Sequence, residues 1–186
     1  AETPIQMAVS GPTGGVIAAK HIAKLIGVDR LVTLDMGGTS TDCSTITDGQ
    51  EHFTTDFEIE FGIPIQIPMI DIRTIGAGGG SIAWIDKGGM LRVGPESAGA
   101  DPGPACYGKG EQITVTDANL VLGRLRPDQF LGGRMHLDLQ RSQELMSALA
   151  LEINSSVEQT ALGIIRVVNA NMERAIRAIS LERGYD

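Results

Sequence analysis

The amino-acid sequence predicts a mixed α/β domain, and three patterns indicate it. Residues 31–34 form a short apolar run typical of a strand buried on both faces, and a glycine turn follows them. Over residues 59–69 the odd positions are apolar, as in a strand, and Pro64 and Pro68 place that strand at a sheet edge or in a partly open segment. Residues 156–183 repeat apolar side chains every three or four positions, which predicts a long core helix.

The totals of the sequence exclude several classes of protein. The 186 residues are 42% hydrophobic and 20% charged, so the chain can bury a proper core. A net charge of −8 argues against binding to nucleic acid or to an anionic membrane. The sequence has no signal peptide and no run of transmembrane length, and Cys43 and Cys106 are too far apart to indicate a zinc site or a disulfide framework, so we expect a reducing cytoplasm. The start without Met predicts a segment of a longer protein.

The first third of the chain is expected to combine one helix with short strands. A glycine-rich turn at residues 10–15 should open a helix over 16–26, and Gly27 should close it. A strand over 43–47 should turn at Asp48 and Gly49. The polar residues 51–58 are expected to form a solvated excursion.

The remainder reads as a hairpin, a stiff loop and helices. The glycine turn at 76–81 is neither a Walker A loop nor a dinucleotide fingerprint, and strands over 82–85 and 90–93 should follow it. In the 94–108 loop, Cys106 is better explained as a buried filler than as a nucleophile. Helices are expected over 118–125, with Asp117 as its N-cap, and over 137–153. The long helix should begin with a capping box of Ser155 and Glu158 and end at Gly184 as its C-cap.

Residues 31–42 carry the pattern that points to a ligand. A carboxylate ends the apolar run, two glycines bend the chain, and hydroxyls and a second carboxylate follow, at Asp35, Gly37, Gly38, Thr39, Ser40, Thr41 and Asp42. Glycines can take positive φ and let backbone N–H groups approach an anion closely. A carboxylate beside a phosphate requires a cation between them, so the pattern predicts a site for a Mg-nucleotide. The alternative is a hairpin whose glycines only make the turn.

Five segments, taken together, resemble the hydantoinase A/5-oxoprolinase family. They are residues 10–15, 35–42, 76–81, 93–108 and 114–125, in order over nearly the whole chain. The resemblance implies an actin/hexokinase/Hsp70-like (ribonuclease H-like) ATPase fold with a mixed sheet and flanking helices. It implies a partial domain, because the partner phosphate turn would lie upstream and the adenosine segment downstream. Within it we expect a phosphate-turn sheet core at 1–50, a strand-rich insertion with glycine-rich loops at 51–135 and a helical segment at 136–186.

The resemblance also implies an activity, namely ATP-dependent hydrolysis of a cyclic amide such as 5-oxoproline, hydantoin or N-methylhydantoin. ATP would activate the carbonyl by phosphorylation, with ATP and Mg²⁺ as cofactors. Gly37, Gly38, Thr39 and Ser40 would bind phosphate, while Asp35 and Asp42 would act in catalysis by orienting Mg²⁺ or a water. The substrate side would be formed by Asp71, Gly78, Gly79, Gly80, Ser81 and Asp101.

Two alternatives remain open at the level of the sequence. The chain could belong to a ketone carboxylase that uses the same ATP activation, or it could be a binding domain without turnover; an isolated segment is expected to be inactive. The family often has His where this chain has Arg73. Expected partners are the small cyclic amide, a second subunit or neighbouring domain, and further copies of the chain, with neither nucleic acid nor membrane.

Overall fold

The computed structural model describes residues 10–54, 57–58, 64–65, 68–181 and 184. They cluster into two compact units: unit 1 holds the described parts of 1–35, 42–74 and 175–186, and unit 2 holds 36–41 and 75–174. The helices are α1 (Ser10–Ile26), α2 (Val115–Val121), α3 (Leu139–Glu152) and α4 (Val157–Ile179). The strands are β1 (Leu31–Met36), β2 (Thr41–Thr47), β3 (Gln50–Glu51), β4 (Phe53–Thr54), β5 (Phe57–Glu58), β6 (Pro64–Ile65), β7 (Met69–Ile70), β8 (Arg73–Ile75), β9 (Ser81–Ile85) and β10 (Leu91–Ser97).

Helix α1 of unit 1 begins earlier than the sequence predicted. The glycine-rich residues 10–15 are helical rather than a turn, so that prediction is wrong. Pro12 is compatible with helix there because the first turn needs no backbone N–H donor. Gly27, with φ 72°, follows the last helical residue as expected. The sequence predicts an apolar stripe of Val16, Ala19, Ile22, Ala23 and Ile26 along this helix. Val16 and Ala23 are buried, whereas Ile22 and Ile26 are exposed.

The main sheet of unit 1 is built around β2. Strands β1, β3 and β8 all pair with it, and its residues 43–46 are buried. Strand β1 has β2 as its one neighbour among the described strands, and its Val32 and Leu34 are exposed. The prediction that residues 31–34 are buried on both faces is therefore wrong, and β2 has that burial instead. The predicted turn at Asp48 and Gly49 is confirmed, with φ values of 54° and 70°.

Short antiparallel pairs occupy the middle of unit 1. Strand β4 pairs with β7, and β5 pairs with β6. The predicted excursion over 51–58 forms short strands at Glu51, Phe53–Thr54 and Phe57–Glu58, and none of residues 51–54 is buried. Of the alternating run 59–69, Pro64 and Ile65 lie in β6 and Met69 lies in β7. Residues 59–63 and 66–67 fall outside the described residues. So do residues 1–9, where the alternation of Ile5, Met7 and Val9 predicts a short extended lead.

Unit 2 contains the larger core. Strands β9 and β10 form the predicted hairpin, but β10 continues to Ser97 through an irregular register after Val93. A 3₁₀-helix at Ala105–Tyr107 follows in the loop. The core buries apolar side chains from the hairpin and from helices α2, α3 and α4. Its largest members include Ile113, Val115, Met146, Ile164, Ile165 and Val168.

Three of the predicted helix boundaries require correction. Helix α2 has Thr114 as its N-cap, and Asp117 is the third helical residue, which completes a capping box. Helix α4 begins one residue later than expected, because the hydroxyl of Ser156 accepts the N–H of Gln159 at 3.2 Å. It ends at Ile179, so Gly184, which has φ 80° in a later turn, is not its C-cap. Within the described part of the chain, no helix has the length and apolar character required to cross a membrane.

Candidate functional site

The turn at residues 37–40 lies in unit 2 and is open to solvent. The N–H of Gly37 donates to the carbonyl of Ser40 at 2.8 Å, which closes the turn. Gly37, Gly38 and Thr39 are exposed. Among the described residues, nothing accepts the backbone N–H of Gly38 or Thr39. Two consecutive donors are therefore available to an anion.

Neither glycine of this turn is needed for a positive φ angle. Gly37 and Gly38 both lack a left-handed backbone, although glycine permits one. A Cβ added at Gly38 would meet no atom within 4 Å. Because these residues have no side chains, the backbone of the turn is uncovered and an anion can approach its N–H groups closely.

The glycine run at 76–81 packs directly against the 37–40 turn. Gly79 donates its N–H to the carbonyl of Gly37 at 3.0 Å, and Gly80 donates to Gly38 at 2.6 Å. A Cβ at Gly78 would lie 2.7 Å from backbone atoms of Gly38. Ser81 is buried and its hydroxyl accepts the N–H of Gly78 at 2.8 Å. These contacts explain the glycines by close backbone approach; contact of this run with substrate stays a prediction.

Asp35 and Asp42 line one pocket of unit 1. The pocket measures about 320 Å³ and is otherwise largely apolar, with Val16 and Ala19 of α1 and Cys43 of β2 among its walls. Asp42 is half-buried and accepts a hydrogen bond from the hydroxyl of Thr74. Asp35 is exposed, and its carboxylate forms neither a hydrogen bond nor an ion pair with any described residue.

The carboxylate set limits the kind of cation that could bind. Among the described residues, no three His, Cys, Asp or Glu side chains are arranged to hold a metal ion by themselves. Asp35 and Asp42 are two carboxylates without a cationic partner in that part of the chain. Mg²⁺ is commonly held by one or two carboxylates together with substrate phosphates and water. Two carboxylates are therefore better suited to a Mg²⁺ ion that a bound phosphate also coordinates than to a cation held by protein ligands alone.

The two remaining predicted acidic residues differ in their surroundings. Asp71, in unit 1, is half-buried, and its carbonyl accepts the hydroxyl of Ser44 at 2.8 Å. Asp101, in unit 2, is exposed and pairs with Lys109 at 3.0 Å. Within unit 2 the structure therefore brings residues 78–80 against the 37–40 turn, and within unit 1 it places Asp35 and Asp42 on one pocket.

Sequence reasoning missed the contacts that α2 makes with the glycine run. Thr116 donates both its N–H, at 2.8 Å, and its hydroxyl, at 2.9 Å, to the carbonyl of Gly79. The neighbouring Asp117 is fully buried. The spacing of Thr114 and Asp117 is that of a capping box, and this signal could have revealed the helix start and, with it, the position of Thr116.

Cys106 is buried, as predicted for a filler residue. Burial raises the pKa of its thiol far above the ordinary value, and the nearby carboxylate of Asp117 raises it further. A thiol in this environment stays protonated and is a poor nucleophile.

The chain matches the family model described as Hydantoinase/oxoprolinase over residues 1–186. It is 48% identical to caprolactamase subunit alpha of Pseudomonas jessenii, over 95% of this chain and 26% of that protein. It is 45% identical to 5-oxoprolinase of Saccharomyces cerevisiae, over 95% of this chain and 14% of that protein. The chain thus spans about a quarter or less of the length of these relatives.

A solved structure supports the same relationship at the level of the fold. Acetone carboxylase in its nucleotide-free form, solved in work on ATP-dependent acetone carboxylation, superposes with a TM-score of 0.88 and 34% identity. The superposition covers 100% of this chain and 26% of that one. The similarity confirms the expected α/β, ATPase-like fold, present here as part of a domain.

Proposed function

The chain belongs to the hydantoinase/oxoprolinase family, and on that premise we propose that it takes part in the ATP-dependent hydrolysis of a cyclic amide. The proposed substrates are of the 5-oxoproline, hydantoin or N-methylhydantoin type, which agrees with relatives named 5-oxoprolinase and caprolactamase. The observation that carries the proposal is the exposed 37–40 turn, in which the N–H groups of Gly38 and Thr39 have no acceptor among the described residues.

The 37–40 turn is the proposed binding element for phosphate. The N–H groups of Gly38 and Thr39 would donate to phosphate oxygens, and the hydroxyls of Thr39 and Ser40 would add further donors. Gly37 would keep this side of the turn free of side chains. A chain with a net charge of −8 has little general attraction for a nucleotide, so local donors and a cation have to provide it.

Asp35 and Asp42 flank this turn in the sequence and are the proposed ligands of Mg²⁺. Both carboxylates line the same pocket, and neither forms an ion pair with a described residue, so their charge is available to a cation. Their proposed catalytic role is to orient Mg²⁺ or a water. Bound ATP would supply the phosphoryl group that makes the amide carbonyl hydrolysable.

The proposed substrate side of the site consists of two aspartates and a glycine-rich run. Asp71 and Asp101 are retained as candidates, together with residues 78–81. Asp101 is exposed and held only by an ion pair with Lys109 that is open to solvent, so a polar ligand could replace the lysine at small cost.

A second candidate function is the ATP-dependent carboxylation of a ketone. The observation that favours it is the TM-score of 0.88 with acetone carboxylase. Both reactions would use the same activation by ATP, and therefore the same 37–40 turn. A panel of 5-oxoproline, hydantoin and caprolactam against acetone with bicarbonate, assayed on the full chain by ADP release, separates them.

The assembly and location of the protein are also part of the proposal. Two of its relatives are named as subunits, caprolactamase subunit alpha and acetone carboxylase beta subunit. We therefore propose that this chain works with a second subunit or neighbouring domain, and in more than one copy. Both cysteines are free and buried, which suits the reducing cytoplasm expected from the sequence.

The test is a calorimetric titration with Mg-ATP, carried out on the longest form of the protein that contains these residues. Asp35→Ala should weaken ATP binding at least about tenfold, since a carboxylate that places Mg²⁺ against phosphate is lost. Asp29→Ala, which removes another exposed aspartate of unit 1, is the matched control and should bind like the wild type. Equal affinity of wild type and Asp35→Ala would remove Asp35 from the site, and no binding by the wild type would refute the proposal.

A further inference from the structure

We propose that Thr116 is a positioning residue for the 37–40 turn and acts on it through Gly79 and Gly80. The inference rests on the proposed function, because it concerns how the donors that would bind phosphate are held in place. All residues involved lie in unit 2. The argument follows the hydrogen bonds from α2 outward to the exposed turn.

The first step is the anchor on α2. Thr116 is the second helical residue, so its backbone N–H has no acceptor within the helix and is free to donate elsewhere. It donates to the carbonyl of Gly79 at 2.8 Å, and the Thr116 hydroxyl donates to the same oxygen at 2.9 Å. Both acceptor positions of the Gly79 carbonyl are thus occupied by one residue, which fixes the orientation of that peptide group.

The second step transfers this orientation to the turn. Gly79 donates its N–H to the carbonyl of Gly37, and Gly80 donates to that of Gly38. In a trans peptide the carbonyl and the following N–H point in opposite directions in one plane. Holding the carbonyls of Gly37 and Gly38 therefore aims the N–H groups of Gly38 and Thr39 the other way. These are the two donors that lack an acceptor among the described residues.

The third step is the lack of space around this contact. A Cβ at Gly78 would lie 2.7 Å from the carbonyl carbon and oxygen of Gly38, and one at Gly80 would lie 2.9 Å from that oxygen. The two backbones therefore touch without side chains between them, and a shift of the 76–81 run has to move the turn. A donor that points at an anion before binding contributes more than one that must reorient.

The start of α2 is itself held firmly. Asp117, next to Thr116, is fully buried and accepts the N–H and the hydroxyl of Thr114 at 2.9 Å and 2.8 Å. Thr116 thus extends from a fixed helix end and can orient Gly79 instead of following it. Its hydroxyl is the part of this arrangement that a substitution can remove without altering the backbone.

The experiment compares Thr116→Val and Thr116→Ser in the full chain. Valine keeps the shape and the N–H but loses the hydroxyl, whereas serine keeps the hydroxyl. We expect Thr116→Val to weaken binding of Mg-ATP about two- to tenfold, the usual value of one hydrogen bond, and Thr116→Ser to restore it. The matched control is Thr160→Val, which removes a buried threonine hydroxyl of unit 2 that has no partner among the described residues and should bind ATP normally.

A second measurement does not depend on ATP. Hydrogen exchange at the amides of Gly79 and Gly80, which donate to the turn, should accelerate in Thr116→Val and stay at the wild-type rate in Thr116→Ser. If Thr116→Val does not fold, Thr116→Ala removes the same hydroxyl without branched bulk. Unchanged exchange and unchanged ATP affinity in the valine variant would overturn the inference. If Thr116→Ser also exchanges faster and also binds Mg-ATP more weakly, the effect is due to packing and not to the hydroxyl, which would overturn the inference as well.

The two proposals fail in different ways. A wild-type chain that does not bind Mg-ATP refutes the proposed function, while the exchange rates still decide whether Thr116 orders the turn. A wild-type chain that binds, with a valine variant that binds equally well and exchanges equally slowly, leaves the proposed function intact and refutes the role of Thr116.

Discussion

The hydroxyl of Ser142 donates a 2.8 Å hydrogen bond to the carboxylate of Asp117, and both side chains are fully buried. Ser142 lies on α3 and Asp117 on α2, so the bond joins two helices. The same carboxylate also accepts the N–H groups of Ala105 at 3.2 Å and Cys106 at 2.8 Å from the long loop. One buried carboxylate therefore connects the loop to two helices through hydrogen bonds.

Asp117→Ala is expected to destabilise the protein strongly. Five hydrogen bonds to the carboxylate would lose their acceptor, among them those from Ser142 and Cys106. Buried donors without acceptors are costly, so the free energy of unfolding should fall by about 3–5 kcal/mol. Urea denaturation followed by circular dichroism measures the change.

The control for that prediction is Asp138→Ala. Asp138 is an exposed N-cap of α3, and its carboxylate accepts one hydrogen bond from the described residues, from the N–H of Arg141 at 2.9 Å. Its removal should cost about 0.5–2 kcal/mol, the usual value of an N-cap. If Asp117→Ala and Asp138→Ala lower the free energy of unfolding equally, then burial and the number of hydrogen-bond donors do not determine how much Asp117 contributes to stability.

Cys106 should resist alkylation in the folded protein. Burial and the carboxylate of Asp117 raise its thiol pKa, so almost no thiolate exists near neutral pH. Iodoacetamide at about pH 8 should leave Cys106 unmodified in the native chain and label it once urea unfolds it. Mass spectrometry of the peptide distinguishes the two states, and rapid labelling of native Cys106 would contradict the burial.

The pair of Lys20 and Glu51 should make stability depend on pH. The Lys20 ammonium, which hydrogen-bonds the Glu51 carboxylate, lowers the pKa of Glu51 below its ordinary value of 4.5. A carboxyl whose pKa is lower in the folded state stabilises the fold above its unfolded pKa, and this contribution disappears as the pH falls through the folded pKa. The difference in unfolding free energy between wild type and Lys20→Met should therefore be present at about pH 7 and shrink towards about pH 3.

A suitable control for the pH series is Lys109→Met. Lys109 pairs with Asp101 at 3.0 Å, but both side chains are about three-quarters exposed, at 73% and 75%. Solvent screens such a pair, so the variant should differ little from wild type at either pH. A pH-independent difference for Lys20→Met would mean that its packing, and not its charge, is what stabilises the fold.

Thr160→Val should raise stability. The hydroxyl of Thr160 is buried and forms no hydrogen bond with any described residue. Valine has nearly the same shape without the polar group, so the free energy of unfolding should increase by about 1 kcal/mol. Thr116→Val, whose hydroxyl is bonded to Gly79, should show no such gain in the same urea titration.

Sequence patterns predicted local features well where they depend on neighbouring residues. The hairpin at Asp48 and Gly49, the β9–β10 hairpin and the apolar stripe of α4 with Ala161 and Val168 are confirmed. Helix ends were less certain, because a cap depends on which hydroxyl reaches which N–H. Ser156 rather than Ser155 accepts at α4, a difference of one residue that composition does not reveal.

The part of the candidate site that lies within one short segment could be predicted from the sequence, and the contacts between distant segments could not. The run from Asp35 to Asp42 was recognised from its residue types and spacing, and its glycines and Asp35 are exposed as a ligand site requires. The role of Gly78 was not foreseeable, because its neighbour Gly38 lies forty positions earlier in the chain. The contact of Thr116 with Gly79 spans 37 positions and was missed on the same grounds, although the spacing of Thr114 and Asp117 marks the helix start beside it.

The sequence alone determined the order of the glycine turns, the periodicity of the strands and helices, and membership in a family, all of which depend on residue type and spacing. The tertiary structure decided which strand is buried, which backbone the 76–81 glycines touch, and which donors reach Asp117. The physical reason is that these contacts join segments far apart in the chain, so burial and hydrogen-bond partners depend on how the segments pack, a property that no local pattern contains.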